Sequence, residues 1–318
     1  MPPERDLESL LDPVYHEWLK LSNPPLPPGY QPTLAEMREG FRSQTALSNT
    51  DIPDTVSSRD TAIDGRDGHR VPLRIYHSRN HPDASEVLVF VHGGGWVLGD
   101  LDTHHGICAD LTEATGRIVV AVDYRLAPEN PFPAPLHDVI DVLEAVQHQH
   151  ATLGLPDGRP AVVGDSAGAS LILAAALTLR DTPAAPTRLA LVYPGVGADI
   201  DRPSFIENRD VPGLTDDLMR FFFASYIGGA ETLPDVLAAP LLAESFRGLP
   251  PIFISGAEFD PLRDNATDLK ARLDDDGVEA ELRIEPGIGH GYLWVRRQSA
   301  PAARAFVALS EFLRAGTR

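Results

Sequence analysis

A serine flanked by two glycines is the residue of this chain with the clearest capacity for chemistry. The motif Gly164-Asp165-Ser166-Ala167-Gly168 matches G-x-S-x-G, in which the serine occupies a sharp turn between a strand and a helix. An apolar segment at 161–163 precedes it, and an Ala- and Leu-rich segment at 169–179 follows it, as the turn requires. Glycines on both sides supply room where larger side chains would clash. The alternative is an ordinary strand–turn–helix with a surface serine.

A glycine-rich loop upstream of the serine can stabilise negative charge on a substrate. The loop His92-Gly93-Gly94-Gly95-Trp96 directly follows the apolar segment 87–91. Successive glycines let the backbone approach a substrate closely and present N–H groups to it. Together with the N–H after the serine, such a loop forms an oxyanion hole, and the predicted donors are Gly94, Gly95 and Ala167. His92 is predicted to hold the loop. The alternative is a glycine-rich turn without a ligand.

An aspartate and a histidine further along complete a candidate catalytic triad. Asp260 follows the apolar segment 252–255, and His290 follows the next predicted strand. The carboxyl ends of strands in open α/β sheets are where sites gather, so these groups can converge with Ser166. A serine hydroxyl needs a base within hydrogen-bond reach, and a carboxylate fixes the tautomer of that base. The residue types of Ser166, Asp260 and His290 therefore predict acyl transfer through an acyl-serine, with no cofactor.

Other titratable residues compete for these roles less well. The rival carboxylates are Glu258, which lies closer to the strand, and Asp264, which lies on the following helix. The rival histidines do not follow a late strand; they are His104, His105, His148 and His150. No acidic or cysteine ligand pattern accompanies the paired histidines, so no metal site is predicted. The single cysteine, Cys108, cannot form an internal disulfide and is predicted to be a buried small residue.

Strands that alternate with helices are predicted to position these groups. The predicted strands are 55–63, 71–77, 87–91, 118–123, 161–164, 189–193, 252–255 and 280–284. The predicted helices are 106–115, 135–150, 167–180, 263–275 and 301–315. Near-continuous apolar strands such as 87–91 are typical of a parallel sheet that is covered on both faces. The alternation predicts an α/β fold with a mostly parallel central sheet flanked by helices.

Two regions outside this alternation are predicted to cover the site. Residues 1–50 contain a helical pattern from Leu7 to Leu19, which the prolines at 24–28 end, and a second short helix at 34–41. The segment at about 199–231 carries an aromatic-rich helix at 214–227, for which core packing is the alternative. The domain prediction is therefore N-terminal cap helices at 1–50 and a catalytic domain at 51–318 with a cap insertion.

Composition limits the classes of function. The chain has 318 residues, 43% of them hydrophobic, which is enough for one large α/β domain. Its net charge of −19 at pH 7 disfavours nucleic acid and anionic membranes as partners. No run approaches the ~18 consecutive apolar residues of a membrane span, and the charged, proline-containing start does not match a secretory signal. These features predict a cytoplasmic protein that acts on a small molecule.

The glycine loop at 92–96 and the serine motif at 164–168 together resemble the hormone-sensitive-lipase-like branch of the α/β-hydrolases, the bacterial family IV esterases. Asp-Tyr-Arg-Leu-Ala-Pro-Glu at 123–129 and Asp-Pro-Leu-Arg-Asp at 260–264 extend the resemblance, which runs from about residue 71 to the C-terminus. It implies an α/β-hydrolase fold, a helical cap completed by an insertion after the sixth strand, and hydrolysis of short acyl esters. It also implies a possible homodimer through the last strand. Residues 124–129 are interpreted as a structural loop locked by an arginine and a glutamate.

Three positions depart from the family pattern without removing a catalytic group. Ala169 replaces a second glycine after the serine motif, where it is expected to act on packing. Tyr292 replaces a phenylalanine, and Glu285 stands where an aromatic residue is common, so both are expected to act on the pocket wall. Four residues are candidates for lining that pocket, with core packing as the alternative for each: Trp96, Tyr193, Phe222 and Leu293.

The leading functional hypothesis is a carboxylic ester hydrolase for short acyl chains, because a capped site limits the chain that fits. A hydrolase of amides, carbamates or lactones would use the same triad, since cap residues recognise the leaving group. A non-catalytic small-molecule receptor on the same fold would have lost the catalytic histidine, whereas His290 is present. A structural or interaction protein would leave the triad order and the glycine loop unexplained.

Overall fold

The computed structural model describes residues 7–24, 27, 29–46, 48–199, 201–209, 211–231, 233 and 235–315. Within them, eight strands form one sheet in the order β1-β2-β4-β3-β5-β6-β7-β8. The strands are Val56–Asp64 (β1), Arg70–Ser78 (β2), Val87–Val91 (β3), Ile118–Val122 (β4), Ala161–Asp165 (β5), Leu189–Val192 (β6), Ile252–Phe259 (β7) and Ala280–Gly289 (β8). Only the pairs β1–β2 and β2–β4 are antiparallel, which confirms the predicted mostly parallel sheet.

The last two strands run further than predicted. The apolar pattern of the sequence predicts that they end at 255 and 284, but β7 continues to Phe259 and β8 to Gly289. Pairing between the two strands, across an irregularity between Ala257 and Phe259, supports the extra residues. Since a strand rises about 3.3 Å per residue, this extension carries the residues that follow each strand well beyond the predicted edge. β8 ends the sheet on one side, and the homodimer through it stays a prediction.

Helices cover both faces of the sheet, and the predicted ones lie close to their predicted positions, whereas the sequence pattern does not predict the short helix at 203–207. They are Leu7–Leu10 (α1), Pro13–Ser22 (α2), Leu34–Ala46 (α3), His105–Thr115 (α4), Ala134–His148 (α5), His150–Leu153 (α6), Ala167–Leu179 (α7), Pro203–Glu207 (α8), Asp216–Tyr226 (α9), Arg263–Asp275 (α10) and Ala300–Arg314 (α11). The predicted continuous helix from Leu7 to Leu19 is two helices, because Pro13 starts a new one and Asp12 caps it through the N–H of Tyr15.

Alternate residues of each inner strand enter two separate apolar cores. In β3, Val89 packs in the core that contains α5 and α7, whereas Leu88 and Phe90 pack in the core that contains α4 and α11. This division follows from the two-residue period of a strand. The sheet is therefore packed against helices on both faces. The carboxyl ends of its parallel strands form a rigid base for the loops that follow them.

The two regions predicted to cover the site meet each other above the glycine loop. Leu34, Met37 and Phe41 of α3 pack with Phe222 of α9 in one small apolar cluster. Val97 and Leu98, which directly follow the glycine loop, belong to the same cluster. Residues 1–6, 47, 200 and 210 of the predicted cap regions lie outside the described residues, as do 25, 26 and 28 of the predicted proline break. No helix in the described part of the chain is long and apolar enough to cross a membrane.

Asp123, directly after β4, generates a prediction about stability. Burial, with Asp100 and Asp102 adding repulsion, raises the pKa of Asp123 to about 6. The folded state therefore holds this proton more tightly than the unfolded chain, so ionisation of Asp123 destabilises the fold as pH rises. Asp123→Asn should increase the free energy of unfolding by about 1–3 kcal/mol near pH 8 and by nothing near pH 4. Urea titrations at both pH values check this, with exposed Asp181→Asn as the control, and a gain that is equal at both would contradict it.

Candidate active site

Ser166 occupies a strained turn between β5 and α7. Its backbone has φ 52° and ψ −117°, and a positive φ at a residue other than glycine costs about 1–3 kcal/mol. A Cβ on Gly164 would lie 2.6 Å from the carbonyl carbon of Gly168. A Cβ on Gly168 would overlap the carbonyl oxygen of Val91 and lie 2.6 Å from that of His92. The turn thus requires glycine on both sides of the serine, for the steric reason that the motif predicts.

The structure brings Ser166, His290 and Asp260 into one hydrogen-bonded line. Nε2 of His290 lies 3.0 Å from Oγ of Ser166, and Nδ1 of His290 lies 2.9 Å from Oδ2 of Asp260. Since a carboxylate accepts, Nδ1 carries the proton and Nε2 is free to accept from the serine. Asp260 is fully buried, and its Oδ1 accepts the N–H of Leu262 at 2.8 Å, which fixes the carboxylate.

The rival carboxylates face other partners. Glu258 accepts the N–H of Gly287 at 2.9 Å, and Asp264 accepts the N–H of Ser204 at 2.9 Å. Glu258 therefore holds the end of β8, Asp264 holds the first turn of α8, and neither contacts His290. Among the described residues, no group of three or more His, Cys, Asp or Glu side chains could hold a metal ion.

The glycine loop contains N–H groups that its own turn does not use as hydrogen-bond donors. The carbonyl of Gly94 accepts the N–H of Val97 at 3.1 Å and that of Leu98 at 2.8 Å. Because a trans peptide points its N–H away from its C=O, the N–H of Gly95 faces the opposite direction. The N–H groups of Gly94, Gly95 and Ala167 donate to no acceptor among the described residues. These are the three donors that the sequence predicts for an oxyanion hole.

His92 supports the loop from beneath. Its Nδ1 donates to the carbonyl of Gly93 at 2.7 Å, and its ring stacks on Tyr124 with centroids 4.3 Å apart. Burial, with His104 adding repulsion, lowers the pKa of His92 to about 4, so the imidazole is neutral at neutral pH. A buried neutral histidine of this kind positions backbone and does not exchange protons with a substrate.

Asp165 is a site residue that sequence reasoning missed. Its Oδ1 accepts the N–H of Gly93 at 2.8 Å, and its Oδ2 accepts the hydroxyl of Tyr193 at 3.3 Å. Burial would raise the pKa of this carboxyl, but His104, whose Nε2 lies 3.4 Å away, and the Gly93 N–H lower it below its usual value. Asp165 thus joins the serine turn to the glycine loop. The only sequence signal is its place beside the serine.

Of the four predicted pocket residues, Trp96 belongs to the glycine loop and Phe222 packs against it: a Cβ on Gly95 would overlap the ring of Phe222. Trp96 is buried and stacks on Tyr226 at 4.3 Å. Tyr193 and Leu293 are each only 1% exposed, so their positions support core packing and not a pocket role. The ring of Tyr193 packs 4.8 Å from that of His290 and backs the triad. Leu293 packs in the core that contains α11.

The departures from the family pattern also lie in the interior. The hydroxyl of Tyr292 is 2.6 Å from Oγ of Ser255, and both residues are buried. Glu285 is 3% exposed and accepts from Arg283 at 2.9 Å. Their burial supports interior packing for both side chains and not the expected role in a pocket wall. Ala169 is fully buried in the core with α5, as a packing residue.

The loop at 124–129 is anchored by an arginine and a glutamate that bind different partners. Arg125 pairs with buried Asp138 at 2.7 Å, whereas Glu129 pairs with Arg38 of α3 at 2.7 Å. A cavity of about 780 Å³ lies at the amino ends of the strands, opposite the triad.

Ser166 lies in a sharp turn at the carboxyl edge of the parallel sheet, hydrogen-bonded in line with a histidine and a buried aspartate. This arrangement defines a serine hydrolase of the α/β-hydrolase class. A family model described as alpha/beta hydrolase fold matches residues 88–294. Carboxylesterase NlhH of Mycobacterium tuberculosis is 39% identical over 253 residues, which cover 77% of this chain and 79% of that protein. Ethyl acetate hydrolase of Pseudomonas putida is 34% identical over 264 residues, covering 81% and 82%.

Solved structures agree with these relatives. A hyperthermophilic esterase from the archaeon Pyrobaculum calidifontis superposes with a TM-score of 0.85 at 30% identity, covering 96% of this chain and 98% of that one. A bacterial heroin esterase superposes with a TM-score of 0.86 at 30% identity, covering 98% and 99%. This chain belongs to the α/β-hydrolase family, and within it to the ester hydrolases.

The close approach of α7 to β3 generates a prediction about Gly168. Gly168→Ala should lower the free energy of unfolding by about 3 kcal/mol or more, because the added methyl group meets backbone that cannot move without the sheet. Gly40→Ala is the matched control. Gly40 lies in α3 with open space around it, so a gain of about 0.5–1 kcal/mol is expected. Urea midpoints measure both, and a Gly168→Ala protein as stable as the wild type would refute the steric account.

Proposed function

We propose that this enzyme hydrolyses carboxylic esters with short acyl chains through an acyl-enzyme on Ser166. The single observation that carries the proposal is the position of His290, within hydrogen-bond distance of both Ser166 Oγ and Asp260 Oδ2. That geometry supplies a weak nucleophile with a base and supplies the base with a fixed tautomer.

The reaction proceeds in two halves that balance in protons. His290 Nε2 takes the hydroxyl proton as Ser166 Oγ attacks the ester carbonyl carbon. The tetrahedral intermediate then breaks its bond to the leaving alcohol, to which His290 returns the proton. Water attacks the resulting acyl-serine and gives a proton to His290, which passes it to Ser166 Oγ as the acid departs. Asp260 stays ionised and stabilises the imidazolium in both halves.

The oxyanion of each intermediate binds the N–H groups of Gly94, Gly95 and Ala167. Their lack of partners among the described residues supports this role, since donors that are already aimed need no reorganisation when charge develops. Ala167 adds the first turn of α7, whose amino end carries partial positive charge. Loss of one such donor typically lowers kcat by about 10²–10³-fold.

Two features support a short acyl chain. The ring of Phe222 lies directly above Gly95, so space beside the oxyanion loop is limited. One relative acts on ethyl acetate by name, a very short ester. In this proposal α9, together with α3, covers the site as a cap. Amide, carbamate and lactone substrates suit the same triad, and no observation on the described residues favours them over esters.

Hydrolysis of p-nitrophenyl esters from acetate to palmitate tests the reaction. Turnover should be highest with the shortest chains and should fall to background in Ser166→Ala, which removes the nucleophile. Ser58→Ala, on the exposed face of β1, is the control and should match the wild type. Folded wild-type protein that turns over no ester would move the assignment to an amide or lactone substrate or to a binding role. Activity that survives in Ser166→Ala would overturn the mechanism.

Phe222 generates a separate prediction about chain length. Phe222→Ala should shift the preferred acyl chain upward, because removal of the ring opens space above Gly95. Each further methylene buried there is worth about 0.8 kcal/mol, or roughly a fourfold gain in kcat/KM. Phe221→Ala is the matched control, since Phe221 is the adjacent residue of α9 and is 40% exposed. An unchanged chain-length profile in Phe222→Ala would show that the ring does not limit the substrate.

A further inference from the structure

We infer that Arg38, on the N-terminal helix α3, is a positioning residue for the oxyanion hole and acts through a chain of two peptide groups. Arg38 is far from the triad in sequence and lies outside the segment 88–294 that the family model matches. Its Nε nevertheless donates to the carbonyl of Val97, directly after the glycine loop, at 3.0 Å. The inference rests on the proposed function, because it assigns a role within that same site.

The chain of contacts can be followed atom by atom. Arg38 binds the C=O of the peptide group between Val97 and Leu98. The N–H of that peptide, on Leu98, donates to the C=O of Gly94 at 2.8 Å. The N–H of the next peptide group, on Gly95, points away from that bond toward the site, because the peptide is trans. A cation therefore stands at one end of two aligned peptide groups, and a predicted oxyanion donor stands at the other.

This alignment has an electrostatic consequence. A positive charge at the oxygen end of a hydrogen-bonded chain polarises each C=O and N–H in the same direction. The outermost N–H then becomes a better donor to developing negative charge, and hydrogen bonds to an ionised donor such as Arg38 are about twice as strong as neutral ones. Arg38 thereby strengthens the Gly95 donor without touching the substrate.

The loop also needs restraint, because its backbone is strained. Gly94, Gly95 and Trp96 have φ values of 113°, 61° and 61°, and Trp96 is not a glycine. Residues in such conformations persist only where their surroundings hold them. The carbonyl of Trp96 accepts the N–H of Ala127 at 2.9 Å, and the carbonyl of Ala127 accepts from Nη2 of Arg38 at 3.2 Å. Arg38 therefore contacts the strained loop on one side and the segment that braces it on the other.

Glu129 fixes the orientation of the guanidinium. Nη1 and Nη2 of Arg38 donate to the two carboxylate oxygens of Glu129 at 2.7 and 2.8 Å. This paired geometry leaves Nε directed at Val97. A lysine has one ammonium group on a flexible stem and lacks the planar fork that makes all these contacts together.

Three variants test the role of Arg38. Arg38→Met keeps much of the stem but removes every hydrogen bond, and Arg38→Lys keeps the charge without the fork. Arg42→Met is the matched control: Arg42 lies one turn further along α3 and binds Asp100 at 2.6 Å, outside the chain of peptide groups. Thermal unfolding of all three, and of the wild type, shows how far each change loosens α3.

The readouts are kcat and KM with p-nitrophenyl acetate, and the dissociation constant of butylboronic acid. That acid adds to an active serine and forms an anionic tetrahedral adduct that places an oxygen in the hole. Arg38→Met should lower kcat about 10- to 100-fold, less than loss of a whole donor, with KM changed by no more than about threefold. Boronate affinity should fall by a similar factor. Arg38→Lys should lie between Arg38→Met and the wild type, and Arg42→Met should match the wild type.

Several results would overturn the inference. They are an unchanged kcat and boronate affinity in Arg38→Met, an equal loss in Arg42→Met, or a loss confined to KM. If Arg38→Met does not fold, Arg38→Lys decides by the same criteria. Boronate binding requires the serine but no turnover, so it judges Arg38 even where the wild type proves inactive on esters. Inactivity of the wild type would count against the proposed function alone.

Discussion

The positive φ of Ser166 is the constraint on which the site depends. It reverses the chain between β5 and α7 so sharply that Gly168 touches the end of β3, and only glycine fits there. That contact brings the loop that follows β3 beside the serine. The same turn places the first N–H of α7, on Ala167, directly after the serine. Ser166 and the predicted oxyanion donors are thus placed by one backbone feature, and its cost of about 1–3 kcal/mol is offset by the two apolar cores around the sheet.

The contact between Asp260 and His290 depends on a second arrangement, at the last two strands of the sheet. β7 and β8 pair beyond their apolar stretches, and Asp260 and His290 follow their ends directly. Adjacent parallel strands that end at matched heights hold the two side chains in contact. Tyr193 then packs against the ring of His290, while its hydroxyl contacts Asp165 next to the serine. The candidate triad is therefore braced by buried side chains of the scaffold.

Charges near the glycine loop extend the site into the N-terminal region. Asp165 holds the start of the loop through the N–H of Gly93, and Arg38 holds its far side through the carbonyl of Val97. Both contacts act on backbone groups, whose direction decides where an oxyanion binds. The helix that carries Arg38 also packs against Phe222 of α9. A movement of α3 would therefore displace the glycine loop and the ring of Phe222 together.

The sequence by itself determined the elbow, the glycine loop, the order of the triad and the alternation of strands and helices. These features follow from local sterics and from residue periodicity, which neighbouring residues express without the rest of the fold. Only the tertiary structure decided the partner of Glu129, the burial of Tyr193, Leu293 and Glu285, and the full length of β7 and β8. Those depend on contacts between segments far apart in the chain, because a side chain's partner and exposure are set by what packs against it and not by its own type.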